Sequence, residues 1–433
     1  MENSGRYSEF TGMNQTKIQR MDMSPQEIID FLNDGAVYRT FKDVLSKVYS
    51  ENDLYKTLVD RLTEMTNGKR DSVARNVSNW MSGKSEPQRE SLFQICFALN
   101  MDEQQANQLL ASSSDTGIHY RNPTELIYSF CLRTGKSYGD ARELKEKLLP
   151  VYEAAASSEK QPEKDSVTWR NPAMYTSYIK NEFNRTVTSE NELCCFFQEC
   201  GSIMGTLHNT AYKEFIHMLH HLQNPDAEFS REMQSYVKLN KNFLDEASLR
   251  ELEKRKKGMK RQAIKSLVEE ILQMNVPAGS RKRKSGGVSG PNESYLQRVI
   301  KENWPSEDIL NKMKSRETDV SRKVLLLLFL LTEEFEVAEV DVSATQPGFE
   351  ELYFEQIESE DGGERMEARL ILINLFLDRY GMNRLDPGNA FDCIVLYALR
   401  ASYCGGKGEP MGRRLKQTLE LLFPEPHENV KIQ

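Results

Sequence analysis

Apolar residues along this chain recur at three- and four-residue intervals over roughly ten-residue stretches, the spacing of one helix face, and seldom alternate. The first stretch opens with Ser24-Pro25-Gln26-Glu27. The serine can cap, proline suits the first helical position, where its missing N–H costs nothing, and the glutamate can close a capping box. Ile28, Ile29, Phe31 and Leu32 supply the apolar face, and Gly35 the stop. Residues 1–22 lack this period and are expected to form a disordered tail. Beyond Gly35 the pattern predicts a compact five-helix unit. Its helices span about 36–49 (Phe41, Val44, Leu45 and Val48 inward), 52–65 (Leu54, Leu58, Val59, Leu62), 70–81, 89–99 (Leu92, Ile95, Cys96, Leu99) and 102–110, the last capped by Asp102.

Further along, 113–152 is a helical extension opened by Asn122-Pro123, and the hydrophilic break 153–168 is a linker. Helices resume over 169–278, where Arg170-Asn171-Pro172 echoes Arg121-Asn122-Pro123 as a shared helix start with no longer period behind it. Residues 279–292, rich in glycine, serine and charge, form a basic flexible linker. The C-terminal helical domain, 293–425, holds the apolar run VLLLLFLL (324–331), an acidic excursion near 350–364, and helices near 365–380 and 389–403 parted by Asp386-Pro387; 426–433 is a tail. Only 24 glycines and 15 prolines punctuate the whole chain, too few and too clustered for a sandwich or barrel. The fold class expected is all-α, a five-helix N-terminal unit followed by larger helical domains.

Composition and charge then narrow the partners. A net charge of -8 argues against a protein that coats nucleic acid indiscriminately, because that mode needs a large positive field, and leaves a specific binder open. Seven cysteines, with Cys194, Cys195 and Cys200 bunched together, make no even framework and suit reduced thiols in the cytoplasm. The N-terminus has no apolar core of a signal peptide, and the run at 324–331 falls far short of the roughly 20 residues of a membrane span. No membrane partner is expected.

The segment VSNWMSGKSEPQRESLFQICFALNMDEQQANQLL (77–110) resembles the Cro/repressor-type helix-turn-helix family, also called xenobiotic-response-element or lambda-repressor-like. The match lies in the order of Val77, Ser78, Asn79, Trp80, Gly83 and Pro87, followed by an apolar helix and a closing helix begun by Asp102. The resemblance implies a DNA-binding domain over 23–112. Independently, Val77 and Trp80 share a helix face and can pack on Leu58, Val59 and Leu62, while Arg75, Asn76 and Asn79 face outward. Arginine and asparagine make the bidentate contacts to guanine and adenine edges. Lys69, Arg70, Ser72 and Lys84 stand at the ends, where phosphate contacts set register. The candidate DNA-binding residues are therefore Lys69, Arg70, Ser72, Arg75, Asn76, Ser78, Asn79 and Lys84, with Val77, Trp80, Gly83 and Pro87 as structural markers. One departure stands out: TEMTNGKRDSVAR (63–75) is several residues longer than the family's tight turn, so a longer turn or a longer recognition helix is expected. Past residue 113 the phrases HYRNPTELIYSFCL and LDPGNAFDCIVLYAL are similar to uncharacterised helix-turn-helix proteins of anaerobic Gram-positive bacteria, which adds no chemistry.

Other constellations carry less. KRKKGMKR (254–261) and RKRK (281–284) are suited to phosphates, but a solvated charged face is the commoner use of such runs. Cys195 and Cys200 with His217 and His220 or His221 come near zinc-finger spacing, yet fit an amphipathic helical core better, so no metal is expected. Gly405-Gly406-Lys407-Gly408 and Gly68-Lys69 lack the frame of a phosphate loop. No nucleophile-and-base pair stands out, no cofactor is implied, and an enzyme is not expected. Two readings remain. One is a sequence-specific transcriptional regulator of double-stranded DNA, acting as a homodimer, with a helical remainder that dimerises or senses a protein or peptide effector. The other is a helical scaffold or peptide-binding protein, such as a mobile-element or phage-defence component, in which the helix-turn-helix is structural.

Overall fold

The computed structural model describes residues 9–49, 53–113, 116–157, 175–205, 207–223, 294–332, 359–402 and 411–424. Among them every regular element is helical and none is a strand, so the protein is all-α. No helix among these residues is long and apolar enough to cross a membrane.

The chain divides into two compact units. One, called here the inserted unit, comprises Arg39–Ala211 with Leu377–Asn383; the other, the discontinuous unit, comprises Met1–Tyr38, Tyr212–Phe376 and Arg384–Gln433. This partition revises the domain boundaries expected from sequence. Residues 23–38 fall in the discontinuous unit, apart from the five helices that follow them, and the helical extension expected over 113–152 falls in the same unit as those helices. Helices α8 (Pro123–Arg133), α9 (Tyr138–Ala156), α10 (Tyr175–Thr186) and α11 (Glu190–Cys200) share one hydrophobic core with the preceding helices, from Phe41 through Leu110 to Met204. Helix α9 stays helical to Ala156, into the span expected as a linker over 153–168. Residues 158–174, including Arg170-Asn171-Pro172, and all of 224–293 with both basic tracts, lie outside the described residues.

Within the inserted unit, α3 (Phe41–Val48), α4 (Leu54–Thr66), α5 (Arg70–Met81), α6 (Arg89–Ala98) and α7 (Glu103–Ser113) fall close to the five predicted spans. Thr40 and Asp43 form a capping box at the start of α3. Two charged clusters fasten α8 beneath them. Arg89 forks onto the Glu125 carboxylate at 2.5 and 2.6 Å and onto the Gly117 carbonyl at 2.6 Å. Glu103 accepts from Arg133, Ser129 and Tyr120 at 2.6, 2.5 and 2.8 Å. Burial works to raise the Glu103 carboxyl, but these hydrogen bonds and the Arg133 charge outweigh it and hold the group below the usual carboxylate range.

In the discontinuous unit the N-terminal segment corrects the sequence reading. Residues 9–20 are a helix, α1 (Glu9–Arg20), rather than part of a disordered tail. Among its described side chains only Asn14, which is polar, and Ile18 are buried, too thin an apolar period to detect. Asn14 donates to the carbonyls of Val37 and Pro387, both at 2.8 Å, and accepts from the Val37 amide at 3.1 Å. Helix α2 (Pro25–Asp30) starts with the predicted Ser24 and Glu27 capping box and ends in a π turn, Phe31–Gly35. Tyr397 donates its hydroxyl to the Met23 carbonyl at 3.0 Å, and Arg414 reaches the same carbonyl at 3.2 Å. These bonds bring sequence-distant ends into one unit. Its core is the helix Arg322–Thr332, which contains the predicted run 324–331, packed with Ala390–Leu399. The Arg322 guanidinium and Asp392 carboxylate pair inside it at 2.7 Å, both almost wholly buried.

Candidate nucleic-acid interface

Helix α5 is built from the turn outward. Helix α4 runs on to Thr66, Asn67 takes the left-handed conformation at φ 51°, and Gly68 and Lys69 complete a three-residue turn into α5. Of the two alternatives for the long segment 63–75, a longer turn or a longer helix, the structure has the longer helix. Asparagine tolerates the left-handed region better than most residues, which lets the chain reverse without an extended loop. Tyr55 of α4 donates its hydroxyl to the Ala74 carbonyl at 3.3 Å, a second tie between the two helices.

The C-terminal end of α5 is closed by a Schellman motif. Gly83, at φ +68°, donates to the Trp80 carbonyl at 3.1 Å, and Lys84 donates to the Asn79 carbonyl at 2.9 Å. Val77 is fully buried and Trp80 packs partly buried against the same core, as their three-residue spacing predicts. Burying a valine contributes about 1.5 to 2 kcal/mol, enough to set which face of α5 turns inward. Pro87 is also buried, at the entry to α6.

With Val77 inward, the outward side chains follow from helical geometry. Ser72, Arg75, Asn76 and Ser78 are exposed, and Asn79 is half-buried. Ser72, Arg75, Asn76 and Asn79 occupy positions i, i+3, i+4 and i+7 and so form one stripe, whereas Ser78 lies to its side. Lys69 and Lys84 are exposed at the two ends. Arg70 differs from expectation: its guanidinium is ion-paired with Asp60 of α4, so part of its charge is already matched. The sequence missed this partner because Asp60 is ten residues away and its meeting with Arg70 depends on the tight turn. From Lys69 to Lys84 four basic residues face one acidic residue, while 39–113 as a whole carries ten of each. The positive charge of this region is therefore concentrated on and around α5.

The remaining candidates are not brought together. Among the described residues no group of three or more His, Cys, Asp or Glu side chains is disposed to hold a metal. Cys195 is exposed and Cys200 buried on α11, while His217 and His220 belong to α12 (Asn209–Gln223). Burial pushes the Cys131 and Cys200 thiols up to about 12, which leaves little thiolate at neutral pH. Gly68-Lys69 is the turn before α5, and Gly405-Gly406-Lys407-Gly408 lies outside the described residues. No protein-family model matches the chain, and neither a curated protein nor a solved structure matches it.

Proposed function

We propose that the chain is a sequence-specific, double-stranded DNA-binding transcriptional regulator of the Cro/repressor type, with α5 as the helix that enters the major groove. The observation that carries this reading is the stripe Ser72, Arg75, Asn76 and Asn79 on a helix whose opposite face is sealed by Val77. A major groove about 12 Å wide admits such a helix, and Arg75, Asn76 and Asn79 supply donors and acceptors for purine edges. Lys69 and Lys84 flank the stripe and contact phosphates, with Arg70 sharing its charge between Asp60 and the backbone of the duplex. One reading helix covers only a few base pairs, so a homodimer that spaces two of them about 34 Å apart completes the site. The helical remainder supplies dimerisation or the sensing of a protein or peptide effector, in the cytoplasm.

The experiment is selection of bound duplexes from a random library at about 50 and 150 mM salt, with the wild type and an Arg75→Ala/Asn76→Ala variant. Enrichment of one motif at both salts, lost in the variant, is the expected result. A second reading, the helical scaffold whose helix-turn-helix is structural, draws on the balance of ten basic and ten acidic residues over 39–113. Absence of any enriched motif from a folded wild type selects that reading.

A further inference from the structure

We infer that the discontinuous unit contains a second copy of the frame that carries α5, and that this copy lacks, at the matching positions, the cations with which the first would engage DNA. The second half of the inference rests on the DNA-binding reading above; the first half stands apart from it.

The frame is first visible as a helix, a three-residue turn and a helix. α4 and α5 are parted by residues 67–69; Tyr295–Asn303 and Glu307–Lys314 are parted by 304–306, 237 residues on, because the helix after the turn has 8 residues where α5 has 12. From there the hydrogen bonds repeat at one offset, the 233 residues from Arg89 to Arg322. Ser82 donates its amide to Ser78 and its hydroxyl to Asn79; Ser315 does the same to Asn311 and Lys312. Gly83 and Arg316 are both left-handed, at φ +68° and +61°, and donate to Trp80 and Met313 at 3.1 Å. Lys84 and Ser85 share the Asn79 carbonyl at 2.9 and 3.3 Å, as Glu317 and Thr318 share that of Lys312 at the same two distances. Buried Pro87 is matched by buried Val320, and an arginine, Arg89 or Arg322, then begins an apolar helix.

The second half of the frame repeats at a different offset, the 267 residues from Asn122 to Asn389. Asn107 accepts the Ile118 amide at 2.9 Å, and Asn374 accepts the Leu385 amide at 2.9 Å. Asn122 caps α8 by accepting from Thr124 and Glu125; Asn389 caps its helix by accepting from Phe391 and Asp392. At the third helical position stands a buried acid, Glu125 or Asp392, clamped by Arg89 or Arg322. Each acid also accepts the amide six residues before it, from His119 at 2.7 Å and from Asp386 at 2.8 Å. Each arginine also donates to the carbonyl eight residues before the acid, that of Gly117 at 2.6 Å and of Arg384 at 3.1 Å. Capping and an acid near a helix start are common one at a time. Side-chain bonds of the same type at matching registers, in two units of one chain, point to a duplicated frame with 34 more residues between its halves in the second copy.

At the reading stripe and at the lysine that follows it the copies diverge. Arg75 corresponds to Asp308, Lys84 to Glu317, Asn76 to Ile309 and Asn79 to Lys312. Both cations become acids, and of the three cations that this stretch carries at other positions, Lys312, Lys314 and Arg316, the first is bonded to Asp308 at 2.8 Å on the same helix and the last lies over the Tyr212 ring at 4.6 Å. A face that places carboxylates where the first copy places guanidinium and ammonium groups repels phosphates. DNA is therefore engaged by the first frame alone, and the second keeps the clamp and the turn as scaffold.

Two measurements on the full chain test the halves separately. Hydrogen exchange compares Glu125→Gln with Asp392→Asn, and the milder pair Asn107→Ala with Asn374→Ala in case a clamp variant does not fold. Equivalence predicts at least fivefold loss of protection in α6 and α8 for the first member of each pair, and in Arg322–Thr332 and Ala390–Leu399 for the second. A smaller loss for either member of the pair that folds overturns the duplication. Fluorescence anisotropy on the duplex selected by the wild type then compares Arg75→Ala/Asn79→Ala with Asp308→Ala/Lys312→Ala. The first is expected to bind at least tenfold more weakly, and the second within threefold of wild type. Weakening beyond threefold in the second overturns the loss of DNA engagement by the second copy. Failure to select any duplex sinks the DNA-binding reading and the charge argument with it, while the exchange result still decides the duplication.

Discussion

Replacing Asn14 by alanine tests whether the N-terminal helix is an integral part of the discontinuous unit. The Asn14 side chain is 2% exposed and makes three hydrogen bonds, to the amide and carbonyl of Val37 and to the carbonyl of Pro387. Each such bond contributes about 1 kcal/mol net, and a buried backbone group left without its partner costs about 1 to 3 kcal/mol. Partial relaxation of the loop at Val37 offsets some of this, so the expected loss is about 3 kcal/mol for the unit. At about 1.4 kcal/mol per tenfold, the opening equilibrium rises roughly 100-fold. Hydrogen exchange of α1 and of Ala390–Leu399, in conditions where exchange follows the opening equilibrium, reads this directly. The two segments are expected to lose protection together, since one side chain ties both. A change below about fivefold at Ala390–Leu399, with α1 alone exchanging faster, refutes the claim that residues 9–38 and the C-terminal helices form one cooperative unit.

Three further outcomes follow from the same structure. Gly83→Ala places a Cβ in open space but at φ +68°, so its effect is backbone strain of about 1 kcal/mol, seen as a lower Tm, while Gly83→Asn recovers much of it. Glu103, and Glu192 held at about 2 by hydrogen bonds from Thr188 and Ser189, have folded-state values below their unfolded ones. Their contribution is present above the unfolded carboxylate range and is lost as pH falls from about 4.5 through the folded values. Urea midpoints between pH 6 and 3 are expected to fall in the wild type and to fall less steeply in Glu103→Gln, and equal slopes refute the assignment. Finally, Asp60→Asn releases Arg70 from its ion pair and is expected to strengthen duplex binding severalfold at low salt with no change in the selected motif; a changed motif means that Arg70 reads bases.

The helices themselves were legible in the sequence because a helix writes its buried face at a period that needs no knowledge of its neighbours. α5 and α6 lie within a residue or so of their predicted spans, and Gly83, Val77 and Trp80 hold the positions their chemistry requires. The apolar run at 324–331 likewise declared itself as a core helix. Other features were decided by contacts between residues far apart, and no local pattern encodes those. The pairing of Arg70 with Asp60 depends on how sharply the chain turns at Asn67. The order of 9–20 depends on a buried asparagine that meets Pro387, 373 residues away. The boundary at Tyr38 and Arg39 follows from which core each helix joins, and a capping box at Ser24 is silent on that.

The duplicated frame makes the same distinction most sharply. What the two copies share is a set of polar roles, an acid under an arginine, an asparagine under an amide and a left-handed cap, filled by different residues and interrupted by 34 extra positions. A linear sequence ranks residues by identity and spacing, so it determines the helices and their inward faces. Only the tertiary structure identifies which distant polar groups satisfy one another, because a buried charge is tolerated only where the fold brings its partner to it.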